Sequence, residues 1–185
     1  MPVNQAIEYI QSVRESRQPL YEFPLTSKLR MVMVDQNFEL RWQVAQMLYR
    51  SYSLIDRPLI RFIFEQALGT ARWSPVQGVP VDLKLCVIML YRLKQVEDSS
   101  LIWKAKLANY DTATLIDGQF LVGAGVMETL EYLHGSDELS KLPTLSINGQ
   151  RLSVIDYIET SPELGQIETI QGLEGSILNF EADNL

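Results

Sequence analysis

The chain has 185 residues, 46% of them hydrophobic and 21% charged, with a formal net charge of -7. That length supports one domain with an apolar core, and that composition argues against disorder. No stretch offers the ~20 uninterrupted apolar residues of a membrane-spanning helix: the best run, 83–93, is broken by Lys84 and Arg92.

The N-terminal segment predicts a helix over 3–15, with Val3, Ala6, Ile7, Ile10 and Val13 at three- and four-residue steps on one face. It carries Glu8 and Glu15 and no continuous apolar core of a signal peptide, so the expected location is the cytoplasm. Pro19 and Pro24 make 18–26 an extended connection. Residues 28–34 fit helix or strand, because Leu29, Met31 and Met33 alternate. A second amphipathic helix is expected over 37–50, capped by Asp35 or Asn37, with Phe38, Leu40, Val44, Met47 and Leu48 apolar.

Asp56 and Pro58 announce a third helix, with Leu59, Ile60, Ile63, Phe64, Ala67 and Leu68 inward and Gly69 as its end. Residues 73–80 hold Pro75, Gly78 and Pro80 and read as a loop. The segment 82–96 is apolar almost all round and predicts a central helix. Its Cys86, the only cysteine, reads as a buried small hydrophobe. Shorter helices follow: 99–109 behind Asp98, 114–122 behind Asp111, and 126–134 between Gly125 and Gly135. Asn148-Gly149 between alternating runs predicts a small β-hairpin near 144–154. Ser153 with Asp156 competes as the cap of a helix reaching Glu159, and the two readings are compatible. The apolar residues scattered over 167–185 predict a segment that packs down.

The fold class expected is therefore mainly α: an irregular bundle or HEAT-like stacked antiparallel helix pairs, with the hairpin as its only β structure. The expectation is a single domain over 1–185, with a helical body at 3–135 and an acidic portion at 136–185 packed against it.

Charge is unevenly placed. Residues 1–110 hold 14 Lys and Arg against 10 Asp and Glu, whereas 111–185 hold 2 against 13. No basic residue follows Arg151. Such an end repels phosphates and argues against nucleic acid as the partner. It suits a basic protein.

Chemical motifs are scarce. One histidine, His134, and one cysteine cannot build a His/Cys zinc site, so no metal or cofactor is expected. His134 at a helix C-terminus fits the free carbonyls there. Gly123-Ala124-Gly125 lacks the third glycine and nearby Lys of a phosphate loop. Asp111 and Asp117, with Glu128 and Glu131 on one helix face, are the only route to acid/base catalysis, such as a carboxylate-based hydrolase. The favoured reading makes them solvated acids or caps, with Asp111, Asp117, Glu128 and Glu131 as partner-binding candidates and the hydrolase as the alternative.

The densest cluster of recognition chemistry is Trp103, Lys104, Lys106, Asn109, Tyr110 and Asp111, with Asp117 and Gln119 close behind. These converge if the short helix folds back, and Trp and Tyr are frequent interface anchors. The competing reading puts Trp103 and Leu107 in the core and lets the lysines reach outward. Trp73, in the Pro/Gly-bounded loop, is the candidate exposed aromatic. The leading expectation is a non-enzymatic, helical protein-interaction module of the immunity, antitoxin or adaptor kind, binding a basic partner. A self-associating homo-oligomeric subunit is the other alternative.

Overall fold

The computed structural model describes residues 3–16, 37–73, 79–137, 139–147 and 149–185, without the side chains of residues 3–5, 73, 147 and 184. The expectations for 18–26, 28–34 and Asp35, most of the 73–80 loop and the Trp73 side chain lie outside the described residues. Among those residues the protein is mainly helical, with one small antiparallel sheet. No helix among them is long and apolar enough to cross a membrane. The chain forms two compact units, Met1–Leu93 and Lys94–Leu185.

The first unit holds α1 (Val3–Ser16), α2 (Phe38–Tyr49), α3 (Arg57–Trp73) and α4 (Val81–Leu93). Helix α4 packs against α3 most extensively and also against α2, while α1 lies on α2. Its buried run, Leu83 and Leu85 to Leu90, is apolar round the circumference, which is why α4 sits at the centre. Cys86 is buried there, and its thiol pKa is raised well above the ordinary value by burial and then by Asp82.

Several boundaries differ from expectation. Gly69 does not end α3, because Leu68 and Ala71 are both buried and hold the helix through to Trp73. Helix α4 stops at Leu93 rather than 96, where Lys94 turns left-handed at φ 55°. In α1 the buried face is Ala6, Tyr9, Ile10 and Val13, leaving Ile7 partly exposed.

Ion pairs tie elements of this unit together. Arg14 on α1 donates Nε to Asp56 Oδ1 at 2.6 Å and Nη2 to Asp56 Oδ2 at 3.0 Å. The same guanidinium donates to Ser51 O at 3.1 Å. Asp56 also accepts from Ser53 N, so it closes the short 3-10 turn Leu54–Asp56 rather than simply capping α3. Arg41 on α2 and Asp82 on α4 are both buried, with Nε 3.4 Å from Oδ2. A buried pair of this kind contributes more to specifying how two helices meet than to net stability.

The second unit begins with the 3-10 turn Val96–Asp98 and α5 (Ser99–Lys106), followed by α6 (Tyr110–Leu115), the 3-10 segment Gly118–Val122 and α7 (Val126–His134). The hairpin is present as β1 (Leu145–Ile147) and β2 (Gln150–Leu152), pairing Leu145 with Leu152 and Ile147 with Gln150. Gly149 sits at φ 81°, as a tight turn requires. Ser153 and Asp156 then form a reciprocal capping box on α8 (Val154–Glu159), so hairpin and helix both exist. Helix α9 (Ile167–Asn184) packs down through Leu173, Ile177 and Phe180.

Candidate functional site

Of the residues singled out in the sequence, those in the second unit separate into an inward group and an outward group. The inward group is built on the end of α5. Trp103 is fully buried and donates Nε1–H to Pro143 O at 2.7 Å. Its ring lies 5.3 Å from that of Tyr157 on α8. Core packing, not partner contact, is therefore the role of Trp103.

Lys106 differs from the outward-reaching lysine the sequence suggested. It is only 7% exposed, and its ammonium donates to Ala113 O at 2.8 Å and Ile116 O at 2.7 Å. A cation at the carbonyl end of α6 is favourable for a helix C-terminus. The ammonium also stands 5.8 Å from the centre of the Tyr157 ring. Burial lowers the Lys106 pKa, and the Asp117 carboxylate opposes that shift. Burial raises the Tyr157 pKa, with Asp117 and then Glu163 adding to it. Lys104 is half-buried.

Asn109, not Asp111, starts the next helix. Its Oδ1 accepts Thr112 N–H at 2.8 Å, while Thr112 Oγ1 accepts Asn109 N–H at 3.0 Å. Helix α6 then ends at Leu115, short of the expected 122, and Asp117 caps the following segment by accepting Gln119 N–H at 2.7 Å. Gln119 is buried, and its Oε1 accepts Gly165 N–H at 2.8 Å. These polar groups pin backbone turns within the unit.

The outward group forms a surface. Tyr110 is 84% exposed and Met127 is 74% exposed. Asp117, Glu128 and Glu131 are exposed, and Asp111 is half-buried. On α7, Met127, Glu131 and His134 stand at i, i+4 and i+7 and so share the solvent face, opposite the buried Thr129 and Leu133. Helix α8 packs beside α7 and adds Glu159, whose Oε1 lies 3.7 Å from His134 Nε2. Asp156 joins it on α8, exposed, its pKa lowered by the Ser153 hydroxyl and then the Ser153 N–H. Gly125, at φ 121°, sets the start of α7, and a Cβ there would meet the Glu128 carboxylate at 2.1 Å.

Acid/base catalysis by paired carboxylates requires two of them to line one cleft, one of them desolvated. Asp117, Glu128 and Glu131 instead face solvent, and Asp117 is engaged by its own backbone. Among the described residues no group of three or more His, Cys, Asp or Glu could hold a metal ion. Tyr157 escaped the sequence reading because its contacts with Trp103 and Lys106 arise only when α8 folds back about fifty residues downstream. The exposed Met127, Leu115 and Leu178 escaped it because a polar-flanked apolar residue looks like core in one dimension. No family model, curated protein or solved structure matches the chain.

Proposed function

We propose that this protein is a non-enzymatic, cytoplasmic interaction module that binds a basic protein partner through the acidic surface of its second unit. Immunity, antitoxin and adaptor proteins work by this kind of recognition. The observation that carries the reading is the exposed side of the packed helices α7 and α8, which presents Glu128, Glu131 and Met127 from α7 and Asp156 and Glu159 from α8. Carboxylates of one sign steer a cationic partner and set its register, and an apolar side chain among them supplies contact area once water is displaced. The unit holds 5 Lys and Arg against 15 Asp and Glu, and Lys106 is turned inward, so little neutralises this face from within. The same charge opposes nucleic acid and anionic lipid. The buried, unreactive Cys86 fits a reducing compartment.

The test is affinity purification of the tagged chain from its native cells at low and high salt, read by mass spectrometry, beside the double substitution Glu128→Gln and Glu131→Gln. The expected result is a stoichiometric partner rich in Lys and Arg, lost at high salt and weakened by the substitutions. A partner retained at high salt and indifferent to both changes would overturn the electrostatic reading.

A further inference from the structure

Helix α9 has two apolar sides. Leu173, Ile177 and Phe180, spaced by four and three residues, are buried and hold the helix to its unit. Ile167, Leu178 and Leu185 form a second row and are 70%, 60% and 46% exposed. They are separated by eleven and seven residues, close to about three and two whole turns, so they fall on one line along the helix. Gln171, Gly175 and Ala182 lie in the same seam, and from Gln171 to Leu185 it keeps the alternating four-three spacing of a helix that receives another helix.

Gly172 and Gly175 are exposed in mid-helix, and a Cβ at either would meet nothing within 4 Å. Packing within the chain therefore gives no reason for two residues that weaken a helix relative to alanine. A second helix lying along the exposed row would give one for Gly175, three residues before Leu178, since a missing side chain lets backbones approach. The charge pattern selects the occupant. Helix α9 carries Glu168, Glu174, Glu181 and Asp183 and no Lys or Arg. A second copy of α9 would bring carboxylate against carboxylate, and an anionic lipid surface would be repelled. A helix with Leu-type anchors flanked by Lys and Arg matches both the apolar row and the charge.

We propose that the exposed row of α9 is a groove-like seat for a basic amphipathic helix of about five turns, approaching closest at Gly175. This rests on the reading of the second unit as a surface for a basic partner and names the element and the shape of that partner. Recognition then follows the helix-in-groove mode, with Ile167, Leu178 and Leu185 as the apolar contacts and the carboxylates fixing polarity and register.

The test uses the full chain and a synthetic, labelled helical peptide of Leu and Lys in heptads, with its Leu/Glu counterpart as control, read by fluorescence anisotropy at low salt. The Lys peptide binds and the Glu peptide does not. Leu178→Gln weakens binding about tenfold, the loss expected when one buried anchor is removed. Gly175→Gln gives opposed readouts: the melting temperature rises by a few degrees because helix propensity improves, while peptide affinity falls by about tenfold. If neither peptide binds, both this proposal and the proposed function fail. If the Lys peptide binds but responds to Glu128→Gln with Glu131→Gln and not to Leu178→Gln or Gly175→Gln, the acidic module stands and the α9 seat is refuted. If the chain sediments as a dimer that Leu178→Gln dissolves, the occupant is a second copy and the proposal is overturned.

Discussion

Replacing Lys106 with methionine keeps the apolar stem and removes the ammonium. Two carbonyls then lose their donor: Ile116 O, bonded at 2.7 Å in a buried position, and Ala113 O, bonded at 2.8 Å and partly buried. A buried carbonyl left unsatisfied costs ~1–3 kcal/mol. Ile116 O should carry most of that range, and Ala113 O, which water can partly reach, the low end. Against this stands the cost of burying the cation, visible in the pKa of Lys106, which desolvation lowers. Removing the charge returns part of that cost, so the net loss should be about 1.5–2.5 kcal/mol, below the two orphaned carbonyls taken alone. Urea unfolding followed by far-UV circular dichroism measures the global loss. Tryptophan emission reports the same region, because Trp103 lies beside Tyr157, which the ammonium faces. A variant within about 0.5 kcal/mol of the parent, or more stable than it, would refute the claim that this ammonium fastens the end of α6.

Arg14→Met should cost ~3 kcal/mol by urea unfolding, because it strands the buried Asp56 carboxylate with only its contacts to Ser53; a neutral outcome would mean that α1 is not held by this pair. Gly118→Ala would place a Cβ 2.5 Å from Tyr157 Oη and 3.0 Å from its Cε1, for a loss of ~1–3 kcal/mol, and Tyr157→Phe in the same chain should recover part of it in a double-mutant cycle. In the alkaline range Lys106 should act on stability with one sign, and Tyr157 and the buried Cys86, whose thiol pKa is raised above its ordinary 9.0, with the other. Lys106 has a folded pKa below its ordinary 10.5, so between the two the unfolded chain binds more protons and stability rises with pH. Tyr157 has a folded pKa above its ordinary 10.0, so beyond that the folded chain keeps a proton the unfolded one has lost and stability falls. Thermal melts across the alkaline range check each sign: Lys106→Met should steepen the loss of stability with rising pH, and Tyr157→Phe should lessen it, on top of the loss that Cys86 adds above its ordinary 9.0.

Local signals were readable wherever one residue type has one physical use. The glycines around α7 bound it at Val126 and His134 as expected, because nothing else there competes to set the ends. The hairpin at Gly149 and the Ser153–Asp156 box both formed because the turn needs φ above zero and the helix needs a donor-satisfying cap. Periodicity failed where polar atoms face inward. Arg41 and Lys106 count as surface in any apolar pattern, yet Asp82 and the α6 carbonyls draw them in. The choice of Asp111 over Asn109 failed for a related reason: both residues can cap, and only the backbone decides whose N–H groups are within reach. The exposed recognition side chains were the least legible, since Trp103 turned inward while Tyr110, seven residues on, turned out.

The charge division carries a consequence that separates stability from binding. Residues 1–93 hold 11 Lys and Arg against 8 Asp and Glu, and residues 94–185 hold 5 against 15. The second unit therefore repels itself, and more so at its surface because the Lys106 charge is directed at carbonyls. Added salt screens like-charge repulsion, with a screening length of ~10 Å at 0.1 M falling to ~3 Å at 1 M. The free chain should then melt higher as sodium chloride is raised, while its complex with a basic partner weakens over the same range. Structural carboxylates engaged by neighbouring cations would give the reverse for stability, since salt screens attraction as well. Between α7 and α8, His134 and Glu159 make such a pairing, but both are well exposed and 3.7 Å apart, too weak to reverse the sign. A chain that melts lower in salt would show that its acids are paired at home, and the acidic surface would lose its reason to seek a partner.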